Sequence, residues 1–269
     1  MLTSIFTIAL LAYLGMGLLL YLLQDSLLFM TGSSNAQKVA SLESFQITIE
    51  REHTTLQGWL IPAARPAQPT IIYYGGNAEE LSGSVNYLSP LGDYNYLYVN
   101  YRGYGDSLGK PGQTVLYEDA LATIDQLASA GKVDPAKILL FGRSLGSSVA
   151  VYVASRRECM GLVLVSPFDS IAAVAQSHYP IFPVKYLLRN PFPSIEYVDG
   201  IDAPAVIVMA ENDRVIPRKH SLALVNAWSG PVTSITIPAT SHNDISGRHG
   251  EFYREIGAFL ATLEAPMSH

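Results

Sequence analysis

Gly142-Arg143-Ser144-Leu145-Gly146 follows the apolar run Ile138-Leu139-Leu140-Phe141 and opens a helical run from Ser147 to Arg156. Between a buried strand and a helix, a G-x-S-x-G pattern is a nucleophile elbow. Such a turn is tight enough to strain the serine backbone and push its hydroxyl out above the sheet. Glycines flank it because side chains at 142 and 146 would run into the neighbouring strand and the helix start. The bare pattern also arises by accident. The strand before it, the helix after it and a partner set in the right chain order give it weight.

Working outward, short apolar strands alternate with helices. Thr70–Tyr74, Tyr96–Val99, Ile138–Phe141, Gly161–Val165, Ala205–Ala210 and Ser234–Ile237 read as strands, and 80–91, 117–130, 218–228 and 251–263 as helices. Continuous apolar strands of this kind mean a mostly parallel sheet with helices on both faces. Phe45–Glu50 and Thr54–Ile61 precede that pattern as an antiparallel pair. The stretch from Phe168 to Asp199 is irregular, apolar and rich in proline, with Pro180, Pro183, Pro191 and Pro193. Long connections like this usually serve as lids or substrate walls.

The 269 residues suffice for one sizeable α/β domain. Only 15% are charged and 49% are apolar, with a mean hydropathy of +0.21, which points to a membrane segment. The net charge of −6 and the absence of a Lys/Arg block give no sign of nucleic-acid binding. A single cysteine, Cys159, excludes an internal disulfide and a cysteine-based zinc site, and reads as structural. No metal-ligand spacing, phosphate-cradling loop or cofactor motif is visible.

From Met1 to Gln24 there is no charged side chain. About 20 such residues span the roughly 30 Å of hydrocarbon in a bilayer. A signal peptide would carry a basic start and a nearby small-x-small cleavage site. A core helix would be amphipathic, and this segment is apolar all round. The favoured reading is an uncleaved membrane anchor over 1–24, followed by a catalytic domain over 25–269 with a lid-like insertion at 168–199. Lys38 is the first basic residue, so flanking charge says little about orientation.

An activated serine needs a base, and the base an orienting acid, in the chain order Ser, Asp or Glu, His. The loop after Ala205–Ala210 offers Asp213, with Glu211 as competitor. A helix cap is the plainer explanation of an acid at that place. After the last strand, His242 in Ser241-His242-Asn243-Asp244 is favoured over His249. His53, His178, His220 and His269 fall at unsuitable positions. The oxyanion formed on attack needs two fixed donors. The N–H of Leu145 supplies one, and the N–H of Asn77 in Gly75-Gly76-Asn77-Ala78 the other, unless those glycines merely make a tight turn.

Taken together, these residues resemble the membrane-anchored α/β-hydrolase-domain family, which includes monoacylglycerol and lysophospholipid lipases and depalmitoylases. Gly75-Gly76-Asn77-Ala78 is similar to its H-G-N-A oxyanion segment, with Gly75 in place of the histidine. Tyr101-Arg102-Gly103-Tyr104-Gly105-Asp106-Ser107-Leu108-Gly109 resembles its Y-R-G-x-G-x-S-x-G signature. Gln24-Asp25-Ser26-Leu27-Leu28-Phe29 is similar to the stretch before its first strand, and Ser166-Pro167-Phe168 to the start of its lid. Asp213-Arg214-Val215-Ile216-Pro217 and Ser241-His242-Asn243-Asp244 resemble its acid and histidine loops. The resemblance implies an α/β-hydrolase fold and a serine hydrolase of esters or thioesters, on the exoplasmic side of the membrane. With the apolar anchor and lid, the expected substrate is a lipid-like acyl ester. A peptidase of the same fold and a non-catalytic anchored binding protein are the rivals.

Overall fold

The computed structural model describes residues 2–247 and 249–264. Among these, the strands are β1 (Gln46–Arg51), β2 (Thr54–Ile61), β3 (Thr70–Tyr74), β4 (Asn95–Val99), β5 (Ile138–Arg143), β6 (Gly161–Val165), β7 (Ala205–Ala210) and β8 (Val232–Ile237). The helices are α1 (Leu2–Leu28), α2 (Ala36–Ser41), α3 (Gln113–Ser129), α4 (Leu145–Ala154), α5 (Ile171–His178), α6 (Val184–Leu187), α7 (Arg218–Ala227) and α8 (His249–Glu264).

The strands form one sheet in the order β1-β2-β4-β3-β5-β6-β7-β8. β1 and β2 are antiparallel, as are β2 and β4; every pair from β4 to β8 is parallel. Both faces of the central strands are covered, which is why those strands read as unbroken apolar runs rather than alternating ones. Ile72, Tyr74 and Leu140 pack in one core with residues of α3 and α4, such as Tyr117 and Val149. Ile71, Tyr73 and Phe141 pack in a second core with Phe252, Ile256 and Leu260 of α8.

The strand order also sets where a ligand can go. From β3 the chain moves to β4 on one side, and from β5 to β6 on the other. Connections that leave adjacent parallel strands in opposite directions open a crevice at the strands' carboxyl ends. Gly75–Ala78 leaves β3 at that crevice, and Ser144 leaves β5 there.

The structure departs from the expected helix over 80–91. Two short 3₁₀ turns, Leu81–Gly83 and Ser89–Leu91, stand in its place. Leu81, Val85 and Leu88 have helical spacing, but Gly83, Ser84, Asn86, Ser89 and Pro90 favour turns over helix. Asn100 Oδ1 accepts from the Leu81 N–H at 2.8 Å, which fixes the first turn to the end of β4. The irregular stretch 168–199 contains the two short helices α5 and α6.

α1 has 27 residues, so it extends about 40 Å and is long and apolar enough to cross a bilayer. It continues one turn beyond the expected end at Gln24. Gln24 and Asp25 do not stop it because their side chains are paired with Arg189 and Asn190.

Candidate active site

β5 delivers the chain into Ser144, whose backbone has φ 52° and ψ −117°. A non-glycine residue at positive φ costs of order 1–3 kcal/mol and persists only where its surroundings hold it. Here the Ser144 N–H donates to Val165 O at 2.9 Å, and its carbonyl accepts from the Ser147 N–H at 2.9 Å. A Cβ on Gly142 would lie 2.5 Å from Gly146 O, and one on Gly146 would overlap the Tyr74 carbonyl. Gly146 therefore lets α4 press against the end of β3. Gly146→Ala is expected to cost about 3 kcal/mol, as overpacking of a tight contact does. Thermal unfolding should show it as a midpoint lowered by about 6–12 °C.

The structure brings together three of the residues singled out in the sequence. His242 Nε2 lies 3.0 Å from Ser144 Oγ, and His242 Nδ1 lies 2.8 Å from Asp213 Oδ2. Ser144 and His242 are each 8% exposed. Asp213 accepts at both oxygens. Oδ1 takes the N–H groups of Val215 at 2.9 Å and Ile216 at 2.7 Å, closing a turn. Oδ2 takes the imidazole, so Nδ1 carries the proton and Nε2 is left to accept from the serine. Burial alone would raise the Asp213 pKa. The hydrogen bond and charge of His242, with the Ile216 N–H, outweigh it and hold the carboxyl below its ordinary range. Glu211 turns elsewhere and accepts from the Ala239 N–H at 2.7 Å.

Asn77, Ser144 and Leu145 line one cavity. The peptide between Gly76 and Asn77 is oriented by Glu79, whose N–H donates to Gly76 O at 3.3 Å. The Asn77 N–H, opposite that carbonyl in the same planar unit, is directed away from Glu79. The Asn77 carbonyl accepts from the Met30 N–H at 3.0 Å and from Tyr104 Oη at 2.8 Å. The Leu145 N–H belongs to the first turn of α4, where backbone donors have no partner within the helix.

One family model, described as Serine hydrolase, matches residues 115–260, the span that carries Ser144, Asp213 and His242. The chain belongs to the α/β-hydrolase serine hydrolase family. Among its relatives, the uncharacterized protein Rv2307c of Mycobacterium tuberculosis is 37% identical over 193 residues, 70% of this chain and 68% of that one. Alpha/beta hydrolase domain-containing protein 17C of Xenopus tropicalis is 32% identical over 203 residues, 74% of this chain and 62% of that one. The Pyrococcus furiosus esterase Pf2001 superposes with a TM-score of 0.67 at 18% identity, over 86% of this chain and 97% of that one, a likeness of fold.

In this serine hydrolase, sequence reading passed over Glu79. Its carboxylate accepts from the Gly76 N–H at 2.9 Å, from Tyr73 Oη at 2.8 Å and from Ser84 Oγ at 2.5 Å, and faces Arg143 Nη1 at 3.3 Å. Burial, and then the charge of Glu79, push the Tyr73 hydroxyl well above its ordinary pKa, so it stays a donor. A Cβ on Gly75 would lie 2.8 Å from Leu81 Cδ2 and 3.3 Å from Glu79 Oε2. Leu81 and Glu79 thus fill the space a side chain at 75 would take. The available signal was the glycine itself, which leaves the loop in need of another support. If the Asn77 N–H serves as an oxyanion donor, Glu79→Gln is expected to lower kcat by up to about a hundredfold, less than the roughly 10²–10³ for removing a donor outright, with KM little changed. Steady-state kinetics on a soluble ester checks the split.

A second Ser–His–Asp contact lies outside this site. His220 Nε2 is 3.0 Å from Ser177 Oγ, and His220 Nδ1 is 2.9 Å from Asp169 Oδ1. Ser177 lies within α5, and its hydroxyl donates to Ala173 O. It has neither a strained turn nor a helix start beside it, so the contact clasps α5 to α7. Burial pushes the Cys159 thiol up to about 12, which keeps it protonated and unreactive.

Proposed function

We propose that this serine hydrolase is a membrane-anchored acyl-ester or thioester hydrolase acting on lipid-like substrates. The observation that carries the reading is the cavity at Ser144. It has a volume of about 380 Å³ and apolar walls from α1, α5 and the segment around Phe182. A site built for short polar substrates would leave such walls wet, whereas an acyl chain gains by covering them. Residues 1–24 are the uncleaved anchor, residues 25–269 are the catalytic domain, and 168–199 act as its lid. Positions 248 and 265–269 of that domain lie outside the described residues. By its resemblance the domain faces the exoplasmic side.

In this mechanism Ser144 Oγ attacks the carbonyl carbon as its proton passes to His242 Nε2. The carbonyl electron pair moves onto oxygen, where the N–H groups of Asn77 and Leu145 receive it. Collapse breaks the bond to the leaving alcohol or thiol, which takes the proton from His242. Water then attacks the acyl-enzyme by the same route in reverse, releasing the acid. Asp213 holds the imidazole in the correct tautomer and stabilises the imidazolium.

A panel of monoacylglycerols, lysophospholipids and S-acylated peptides tests the reading, with detergent-solubilised protein and Ser144→Ala as control. Release of fatty acid by the wild type alone is the expected result. Cleavage of peptide amides in its place would make the protein a peptidase. Neither activity, with no labelling by a fluorophosphonate, would make it a binding protein.

A further inference from the structure

The cavity at Ser144 has a wall that comes from the N-terminal helix. Gly17, Leu20, Tyr21, Gln24, Leu27 and Leu28 all line it. Their spacing of three, four and seven residues puts them on one face of α1. The helix is fixed against the lid at both ends of this face. At the inner end, Gln24 Oε1 accepts from the Arg189 N–H at 2.6 Å, and Gln24 Nε2 donates to Leu187 O at 3.3 Å. Asp25 pairs with Arg189 at 3.2 Å and accepts from Asn190 Nδ2 at 3.0 Å. These bonds use up the polar ends of Gln24, leaving its stem to the cavity. Two residues beyond α1, the Met30 N–H donates to the Asn77 carbonyl, so the inner end of the helix lies beside the Asn77 loop, on the same cavity as Ser144. At the outer end, the Tyr13 ring stacks on Phe182 with centroids 5.0 Å apart, and Tyr13 Oη donates to Ile181 O at 2.9 Å. A Cβ on Gly17 would lie 3.5 Å from the Phe182 ring, so helix and lid close on each other there.

We propose that this face of α1 is the acyl-chain wall of the active site, and that Gly17 and Phe182 form its distal stop. The helix is then part of the specificity pocket as well as a tether. The proposal rests on the acyl-hydrolase reading and deepens it by naming the surface that holds the acyl chain. From Leu28 to Gly17 is eleven residues, about 17 Å at the helical rise, which matches an extended chain of about a dozen carbons. Beyond the lid contact at Tyr13, the mostly apolar residues 2–12 carry the same helix about 17 Å further, far enough to enter the membrane. A chain leaving the membrane along α1 stays on apolar surface until its ester reaches Ser144.

The test compares p-nitrophenyl esters from butyrate to palmitate on the full chain in detergent micelles. Gly17→Trp should lower the ratio of kcat/KM for myristate over butyrate by about tenfold or more, since each methylene lost from an apolar pocket is worth about tenfold or more. Phe182→Ala removes the stop and should shift the preferred chain to greater length. Leu22 is 63% exposed and off the lining face. Leu22→Trp should keep the ratio within about twofold, as expected of a surface site. Unchanged ratios in both Gly17→Trp and Phe182→Ala, with an active wild type, would overturn the wall and leave the acyl-hydrolase reading standing. A wild type that hydrolyses no ester and takes no fluorophosphonate would overturn both. If Gly17→Trp loses fluorophosphonate labelling through misfolding, Phe182→Ala decides.

Discussion

Ser144→Ala is expected to lower ester turnover by about four to six orders of magnitude, as removal of a nucleophile from a cooperating triad does. The substitution deletes one buried oxygen and keeps the Cβ, so the elbow retains its packing. The Ser144 N–H bond to Val165 O and the carbonyl bond to Ser147 involve the backbone alone and survive. His242 loses one partner and keeps its bond to Asp213. The variant should therefore unfold at a temperature close to that of the wild type while its activity drops to background. Turnover of p-nitrophenyl butyrate beside a thermal melt checks both halves. Near-normal turnover in a folded variant would remove Ser144 from the chemistry.

Asp213→Asn is the second large effect, with an expected loss of about four orders of magnitude in kcat. An amide in place of Oδ2 can present its NH₂ to the imidazole. Nδ1 must then accept, which puts the proton on Nε2 and leaves no base facing Ser144 Oγ. The geometry survives and the tautomer is wrong. The ionised carboxyl also contributes to stability, because its folded-state pKa is depressed. That contribution is fully present above the unfolded value, about 3.9, and is lost as pH falls through the lower folded-state value. Glu211→Gln is the control. Glu211 meets a backbone N–H of the loop leading to His242 rather than the ring, so its loss should cost less than about tenfold, as a change in one partly exposed hydrogen bond does. A larger loss from Glu211→Gln than from Asp213→Asn would exchange the two roles.

The central sheet was legible because each of its strands is short, apolar and bounded by turns. β3, β6 and β7 begin and end where the sequence indicates. The elbow was legible for a steric reason: α4 can approach β3 only where position 146 has no side chain, and that requirement leaves a visible glycine. Asp213 and His242, 29 residues apart, were singled out by chain order and meet in the structure, because the loops after β7 and β8 open at the same end of the sheet.

What could not be read depends on side-chain contacts that no sequence pattern displays. The apolar spacing of Leu81, Val85 and Leu88 imitates a helix, yet the turns there are held by Asn100 and by capping from Glu80. Glu79 reads as one more surface acid until Tyr73, Gly76, Ser84 and Arg143 are found around it. The last turn of α1 is kept by Arg189 and Asn190, some 165 residues further along. No local pattern in Gln24 or Asp25 announces those partners. The lining face of α1 was hidden for a different reason: a helix apolar on every side shows no stripe to distinguish the face that meets the pocket.

The central claim is that the Ser144 hydroxyl is nucleophilic because His242 and Asp213 stand behind it. The most direct measurement is peptide mapping by mass spectrometry after treatment with a fluorophosphonate. A single adduct on Ser144, formed at neutral pH and lost in His242→Ala as well as in Ser144→Ala, is the predicted result. An adduct on another serine such as Ser177, or a folded protein that takes none, would contradict the account.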